Sequence, residues 1–201
     1  RQTNIVRMMA YSSISQGGFV LMPLAVAGMS EVSSSALRSV VVYMLVYAAT
    51  NLGMFAVIIA VSRKTRSGEI SSWGGLFSYA PGLATLATIF LASLAGIPPL
   101  GGWIGKFTAF QSLLSSGTNW GYALALIGAV NSVVAFGYYG TIMREMWMKP
   151  VPDGDTTRVV VPGSLALALG ITCVATLVFG VLPGVATHFG DIARITGAFG
   201  G

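Results

Sequence analysis

Apolar runs of about 20 residues dominate this sequence, and no other feature restricts its folding so severely. A helix rising 1.5 Å per residue needs about that many to cross roughly 30 Å of hydrocarbon. Five runs have the reach, at residues 8–28, 37–61, 79–114, 122–143 and 159–181, with a few residues of latitude at each end. Lipid offers open backbone groups no partners, so the runs must be helical. With 54% hydrophobic and only 8% charged residues, the chain lies outside the range of ordinary water-soluble domains. The expected fold class is an all-α integral membrane protein of about five transmembrane helices. It forms a single transmembrane region over residues 1–201, with no separate globular domain.

The third run is too long for one straight crossing, and its composition says where it divides. Pro98 and Pro99 lack amide hydrogens and clash with a continuing helix, while Gly101 and Gly102 let the backbone turn. A discontinuous third helix follows, interrupted between Gly96 and Trp103. Lys106 then lies in the first turns of the second half, a lone ammonium in an apolar stretch. A charge there costs about 3 kcal/mol on insertion scales, and such residues face a protein interior or a watery cavity, where they carry ions or protons. A desolvated amine can exchange its proton and a guanidinium cannot, so lysine suits a relay. A half-helix N-terminus beside it would add a positive dipole end. The plainer alternative is a structural lysine that snorkels to the interface along its methylene stem.

The charges between runs test the span assignment independently. Arg1 and Arg7 precede the first run, Arg63, Lys64 and Arg66 follow the second, and Arg144, Lys149 and Arg158 separate the fourth from the fifth. If every run crosses once, these eight of the eleven basic residues share one face, which assigns it to the cytoplasm and the carboxyl terminus to the outer side. The formal charge of +5 follows from this topology and gives no support for nucleic-acid binding. The first residues, Arg1-Gln2-Thr3, read as the start of a piece of something longer. Cys173, alone in an apolar run, leaves no internal disulfide or cysteine-based metal site, and no metal or redox centre is expected.

Two stretches carry a family resemblance. Ser93-Leu-Ala-Gly-Ile-Pro-Pro-Leu-Gly-Gly-Trp-Ile-Gly-Lys106-Phe107 resembles the broken helix of the antiporter-like subunits of proton-pumping NADH:quinone oxidoreductase, respiratory complex I. Arg7-Met-Met-Ala-Tyr11-Ser-Ser-Ile-Ser15-Gln16-Gly-Gly resembles the helix that lies two spans before it in that family, and the order is kept. Related subunits of multisubunit sodium/proton antiporters share both stretches, often with a histidine in the second span. Here that span reads Tyr47-Ala-Ala-Thr50-Asn51-Leu-Gly-Met-Phe-Ala, which looks like the subunit N branch.

The resemblance covers almost the whole chain and implies an inverted-repeat fold, two sets of five helices with one broken helix in each. Only the second half is expected here, matching the last five of fourteen helices. Lys106 matches the lysine of the second broken helix, which is assigned to the half-channel leading outwards. The glutamate and lysines of the first set have no counterpart in this sequence. The implied function is proton translocation within the complex I enzyme, a translocase of the bacterial plasma membrane. NADH, flavin, iron–sulfur clusters and quinone would reside in other subunits, with no cofactor in this chain. The implied partners are other membrane subunits of a hetero-oligomer and membrane lipids.

Beside Lys106 as proton relay, spacing marks a supporting polar path. Tyr47, Thr50 and Asn51 share a face of the second run, and Ser12, Ser15 and Gln16 share one on the first. Hydrogen bonding between helices explains such residues equally well. Tyr11 carries a family match without a role. His188 is expected at the surface, Asp153 and Asp155 in a turn, Arg144 and Glu145 at an interface, and Trp73, Trp120, Trp147, Tyr138 and Tyr139 in interfacial belts. Two other readings stand: a sodium/proton antiporter subunit, and a structural membrane subunit with no conduction of its own.

Overall fold

The computed structural model describes residues 2–192, and every described regular element is helical. In chain order these are α1 (Ile5–Leu21), a 3-10 turn (Met22–Val26), α2 (Ser33–Thr65), a 3-10 turn (Ile70–Trp73), α3 (Leu76–Tyr79), α4 (Pro81–Ala95), α5 (Gly101–Ser115), α6 (Asn119–Met148), α7 (Gly163–Val181) and α8 (Pro183–Ile192). Among the described residues α2, α6 and α7 are each long and apolar enough to cross a membrane alone. The other two expected crossings are composite. Pro23 ends α1 as an α-helix of 17 residues, and a 3-10 turn continues it. The third crossing is α4 followed by α5, each of 15 residues. The fifth is shorter than its apolar run because Pro162 caps α7, leaving residues 159–161 outside the helix.

The long helix α2 is the hub, packed against α1, α4, α5, α7 and α8. Glycines set the closest approaches. A Cβ on Gly53 of α2 would lie 2.3 Å from the Phe90 ring of α4, and one on Gly180 of α7 would lie 2.0 Å from the Pro99 carbonyl oxygen. The main core joins α1, α2, α4 and α6 around Met9, Val57, Phe90 and Ile142. By contrast α6 and α7 present Leu126, Val130, Val133, Leu167, Ile171 and Val174 outwards as exposed apolar faces.

Backbone bonds from Ile5 to Gly68 and from Ile70 to Thr3 join the first residues to the segment after α2. Gly75 donates to the Glu145 carbonyl, and Lys64 Nζ donates to the carbonyls of Asp155, at 2.9 Å, and Thr157. The described basic residues at the start of α1, the end of α2 and the end of α6 with its following loop therefore gather at one end of the bundle, as the charge pattern requires. Arg1 and the carboxyl terminus lie outside the described residues. Asp153 and Asp155 make the expected turn, accepting from the amides of Asp155 (3.1 Å) and Thr157 (2.9 Å), and His188 is exposed.

Two belt assignments are corrected. Trp73 is fully buried under α2 and α6, and Tyr139 is fully buried inside the bundle. The reasons differ: Trp73 ends a 3-10 turn that packs against α6 and α2, whereas α6 runs on to Met148 and carries Tyr139 two turns inside its end.

Candidate functional site

The interruption falls at residues 96–100, within the expected interval. Gly96 makes the turn, with φ +91°, and its amide donates to the Ala92 and Ser93 carbonyls. Gly101 and Gly102 do not turn the chain; they are the first helical residues of α5. Their glycine identity serves close contact instead. A Cβ on Gly102 would lie 1.8 Å from the Ser93 carbonyl oxygen, and one on Gly101 would lie 3.0 Å from Val46. Pro98 and Pro99 occupy the gap, where neither can donate a helical hydrogen bond.

A helix that ends inside a membrane leaves its last carbonyls without partners. The Leu94 carbonyl accepts from Gln16 Nε2 at 3.0 Å, and the Ala95 carbonyl accepts from Lys106 Nζ at 2.9 Å. Lys106 is only 4% exposed, so it does not snorkel. Its side chain leans back along α5, as helical side chains do, and brings the ammonium to the carbonyl end of α4. The dipole end it meets is therefore negative, opposite to the half-helix N-terminus expected from sequence. The ammonium also lies 4.7 Å above the Phe19 ring, whose other neighbours include Tyr43, stacked at 6.1 Å. Among the described residues no carboxylate pairs with it.

Gln16 is the junction of the surrounding polar cluster. Besides the Leu94 carbonyl it donates to Tyr139 Oη at 3.2 Å and accepts from Tyr43 Oη at 2.5 Å, and Tyr139 bonds Ser12. Tyr47 donates to Ser13 at 2.8 Å. Gln16, Tyr43, Tyr47, Thr50, Ser93 and Gly102 line one small cavity of about 10 Å³, room for roughly one water centre. Of the polar path expected beside Lys106, Gln16, Tyr47 and Thr50 line this cavity, but Lys106 does not. Ser15 stands apart and accepts from Asn131 Nδ2 of α6 at 2.9 Å. Asn51 is also outside it, with its Oδ1 buried and unbonded. Tyr11 is exposed.

The sequence reading missed Tyr43, Ser93, Phe19 and Tyr139. For two of them a signal was present: Tyr43 precedes Tyr47 by four, and Phe19 follows Gln16 by three, each extending a face already marked. Nothing local distinguished Tyr139. The assembled site offers a protonatable amine in a nearly dry interior, with neutral donors and acceptors around it. Among the described residues no three His, Cys, Asp or Glu side chains converge where a metal ion could be held.

Residues 1–133 match the family described as "NADH:quinone oxidoreductase/Mrp antiporter, TM". The chain is 37% identical, over 90% of its length, to NADH-quinone oxidoreductase subunit N of Dehalococcoides mccartyi, of which it covers 36%. It is 40% identical, over 92% of its length, to NADH-quinone oxidoreductase subunit N 1 of Koribacter versatilis, of which it covers 35%. It thus spans about a third of the length of these curated relatives, whose names agree with the second-span resemblance. A chain of respiratory complex I from Thermus thermophilus superimposes with TM-score 0.70 at 25% identity, covering 93% of this chain and 40% of that one. A chain of the Mrp complex from Dietzia sp. shares the fold, with TM-score 0.81 at 19% identity over 94% of this chain and 42% of that one.

Proposed function

The chain belongs to the NADH:quinone oxidoreductase/Mrp antiporter transmembrane family, and on that footing we propose that it acts in a proton-translocating membrane subunit of an NADH-quinone oxidoreductase. Lys106 is the residue that takes up and releases the proton. The observation that carries this reading is an ammonium buried at a helix break, held by one backbone carbonyl and one aromatic face and paired with no carboxylate among the described residues. A lysine kept for packing alone would not need a charged head in that place.

Gln16, Tyr43, Tyr47 and Thr50 border the path around a small cavity, of which Lys106 is not a wall. Asn51 and Ser15 stand beyond it, Asn51 with a buried acceptor that no described group meets. Moving one charge against 100 mV costs about 2.3 kcal/mol, so the driving energy comes from redox chemistry in partner subunits that hold the flavin, the iron–sulfur clusters and the quinone. The partners are other membrane subunits of the complex and lipids, the latter against α6 and α7. The basic end faces the cytoplasm of a bacterial cell, and the carboxyl terminus faces outwards. The family spans both kinds of protein, and the relatives named subunit N, at 37% and 40% identity, favour this reading over a sodium/proton antiporter, where the Mrp complex chain is 19% identical.

The test is Lys106→Ala and Lys106→Arg in the fully assembled complex, reading the proton-to-electron ratio together with the quinone-reduction rate. Alanine removes the exchangeable proton and arginine holds it too tightly, so both variants should assemble and both should lose pumping or turnover. Normal turnover with a normal ratio in both would make Lys106 structural.

A further inference from the structure

Two ties cross the break, one made by a side chain of α4 and one by a side chain of α5. The Gly102 amide, an otherwise open donor in the first turn of α5, donates to Ser93 Oγ at 2.9 Å. In return Lys106 Nζ donates to the Ala95 carbonyl at 2.9 Å. Residues 93 and 95 belong to the last turn of α4. Residues 102 and 106 lie four apart and so share one face of α5.

Ser93 is fully buried and is itself held. Its Oγ is 3.2 Å from Thr50 Oγ1, which is 3.3 Å from Thr176 Oγ1, and Thr176 donates to the Thr172 carbonyl at 2.8 Å. Each hydroxyl has one proton to give. Thr176 commits its proton to Thr172, so Thr50 must donate to Thr176 and Ser93 must donate to Thr50. The string therefore runs one way, from the Gly102 amide through Ser93, Thr50 and Thr176 to a backbone carbonyl of α7. It fastens α5, α4, α2 and α7 at the depth of the break, and every hydroxyl in it is occupied.

We propose that Ser93 is a positioning residue for Lys106: by holding the Gly102 amide it seats the first turn of α5 and sets how the ammonium meets the Ala95 carbonyl. Its effect on pumping rests on the reading of Lys106 as the proton-exchanging group, whereas the tie itself does not. Thr50 then belongs to the fastening through its hydroxyl, in addition to bordering the cavity.

The experiment uses the assembled complex with the full-length subunit, in four forms: wild type, Ser93→Ala, Thr50→Val and Thr50→Ser. Hydrogen exchange of peptides covering residues 96–106 reports the tie, and the pH profile of proton pumping reports the position of Lys106. Ser93→Ala leaves a half-buried amide without its acceptor and should speed exchange in the first turn of α5 by about tenfold. It should also displace the pH profile. Thr50→Val keeps the shape and removes the hydroxyl, so it should move both readouts the same way but less. Thr50→Ser should restore both, and if Ser93→Ala fails to assemble, the Thr50 pair decides. Unchanged exchange in Ser93→Ala and Thr50→Val overturns the tie. Faster exchange with a wild-type pH profile overturns the positioning role. If Lys106→Ala itself pumps normally, the proton-exchange reading has failed, and the exchange rates still decide the tie.

Discussion

Gln16 illustrates how a single residue can organise a membrane interior without being charged. Its amide donates to Leu94 and Tyr139 and accepts from Tyr43, leaving one acceptor site of the oxygen open. Tyr43→Phe should leave that oxygen unsatisfied and lower stability by about 1–3 kcal/mol, measured as earlier thermal unfolding of the purified assembly with the ring stacking on Phe19 kept. Asp155 offers a titration at the surface. The Thr157 amide and hydroxyl, with Lys64 beside them, hold its carboxyl below the usual carboxylate range. A depressed folded value means that the stabilisation is complete above the unfolded value of about 3.9 and lost as pH falls through the lower folded one. Exchange at residues 155–157 should therefore accelerate only under strongly acidic conditions, and Asp155→Asn should abolish that dependence. At this scale the sequence was informative where spacing marked a face, as with Gln16, Tyr47 and Thr50. It was silent where the partner was remote: Tyr139 meets Ser12 across 127 positions, and only the fold joins them.

Among the elements, the break was legible because proline and glycine act locally, through a missing amide and a missing Cβ. Which glycine did what was not legible, since turning and close contact demand the same residue. The structure separates them into a testable pair. Gly96→Ala must hold an L-residue at φ +91° with its Cβ 2.9 Å from Lys106 Cδ, and should cost about 1–2 kcal/mol while disturbing the ammonium. Gly102→Ala meets backbone at 1.8 Å and should prevent assembly. Gly17→Ala, with nothing within 4 Å, should assemble like wild type. Immunoblots of the complex in native gels would rank the three. Helix lengths were read short for α2 and α6 because hydropathy fades at polar ends while backbone hydrogen bonding continues, whereas prolines cut α1 and α7 below their apolar runs.

For the whole molecule, the gathering of basic residues at one end, read with the proposed cytoplasmic orientation, makes a sidedness that labelling can test. In a Cys173→Ser background, Thr156→Cys should react with an impermeant maleimide only from the cytoplasmic side, and Asn119→Cys only from the outer side; the reverse pattern would invert the topology. The interrupted crossing carries a consequence for biogenesis. Each 15-residue half is about 22 Å long, short of the roughly 30 Å hydrocarbon layer, so neither can settle in lipid as an independent span. The five residues between them keep their amides bonded but bring backbone carbonyls into the crossing, which lipid cannot satisfy. Part of their cover is Gly180, packed on the Pro99 carbonyl, and the ribosome makes that residue some 80 positions later. During synthesis the nascent chain must therefore wait, its central segment sheltered by the insertion machinery or by earlier helices, until α7 arrives to close over it.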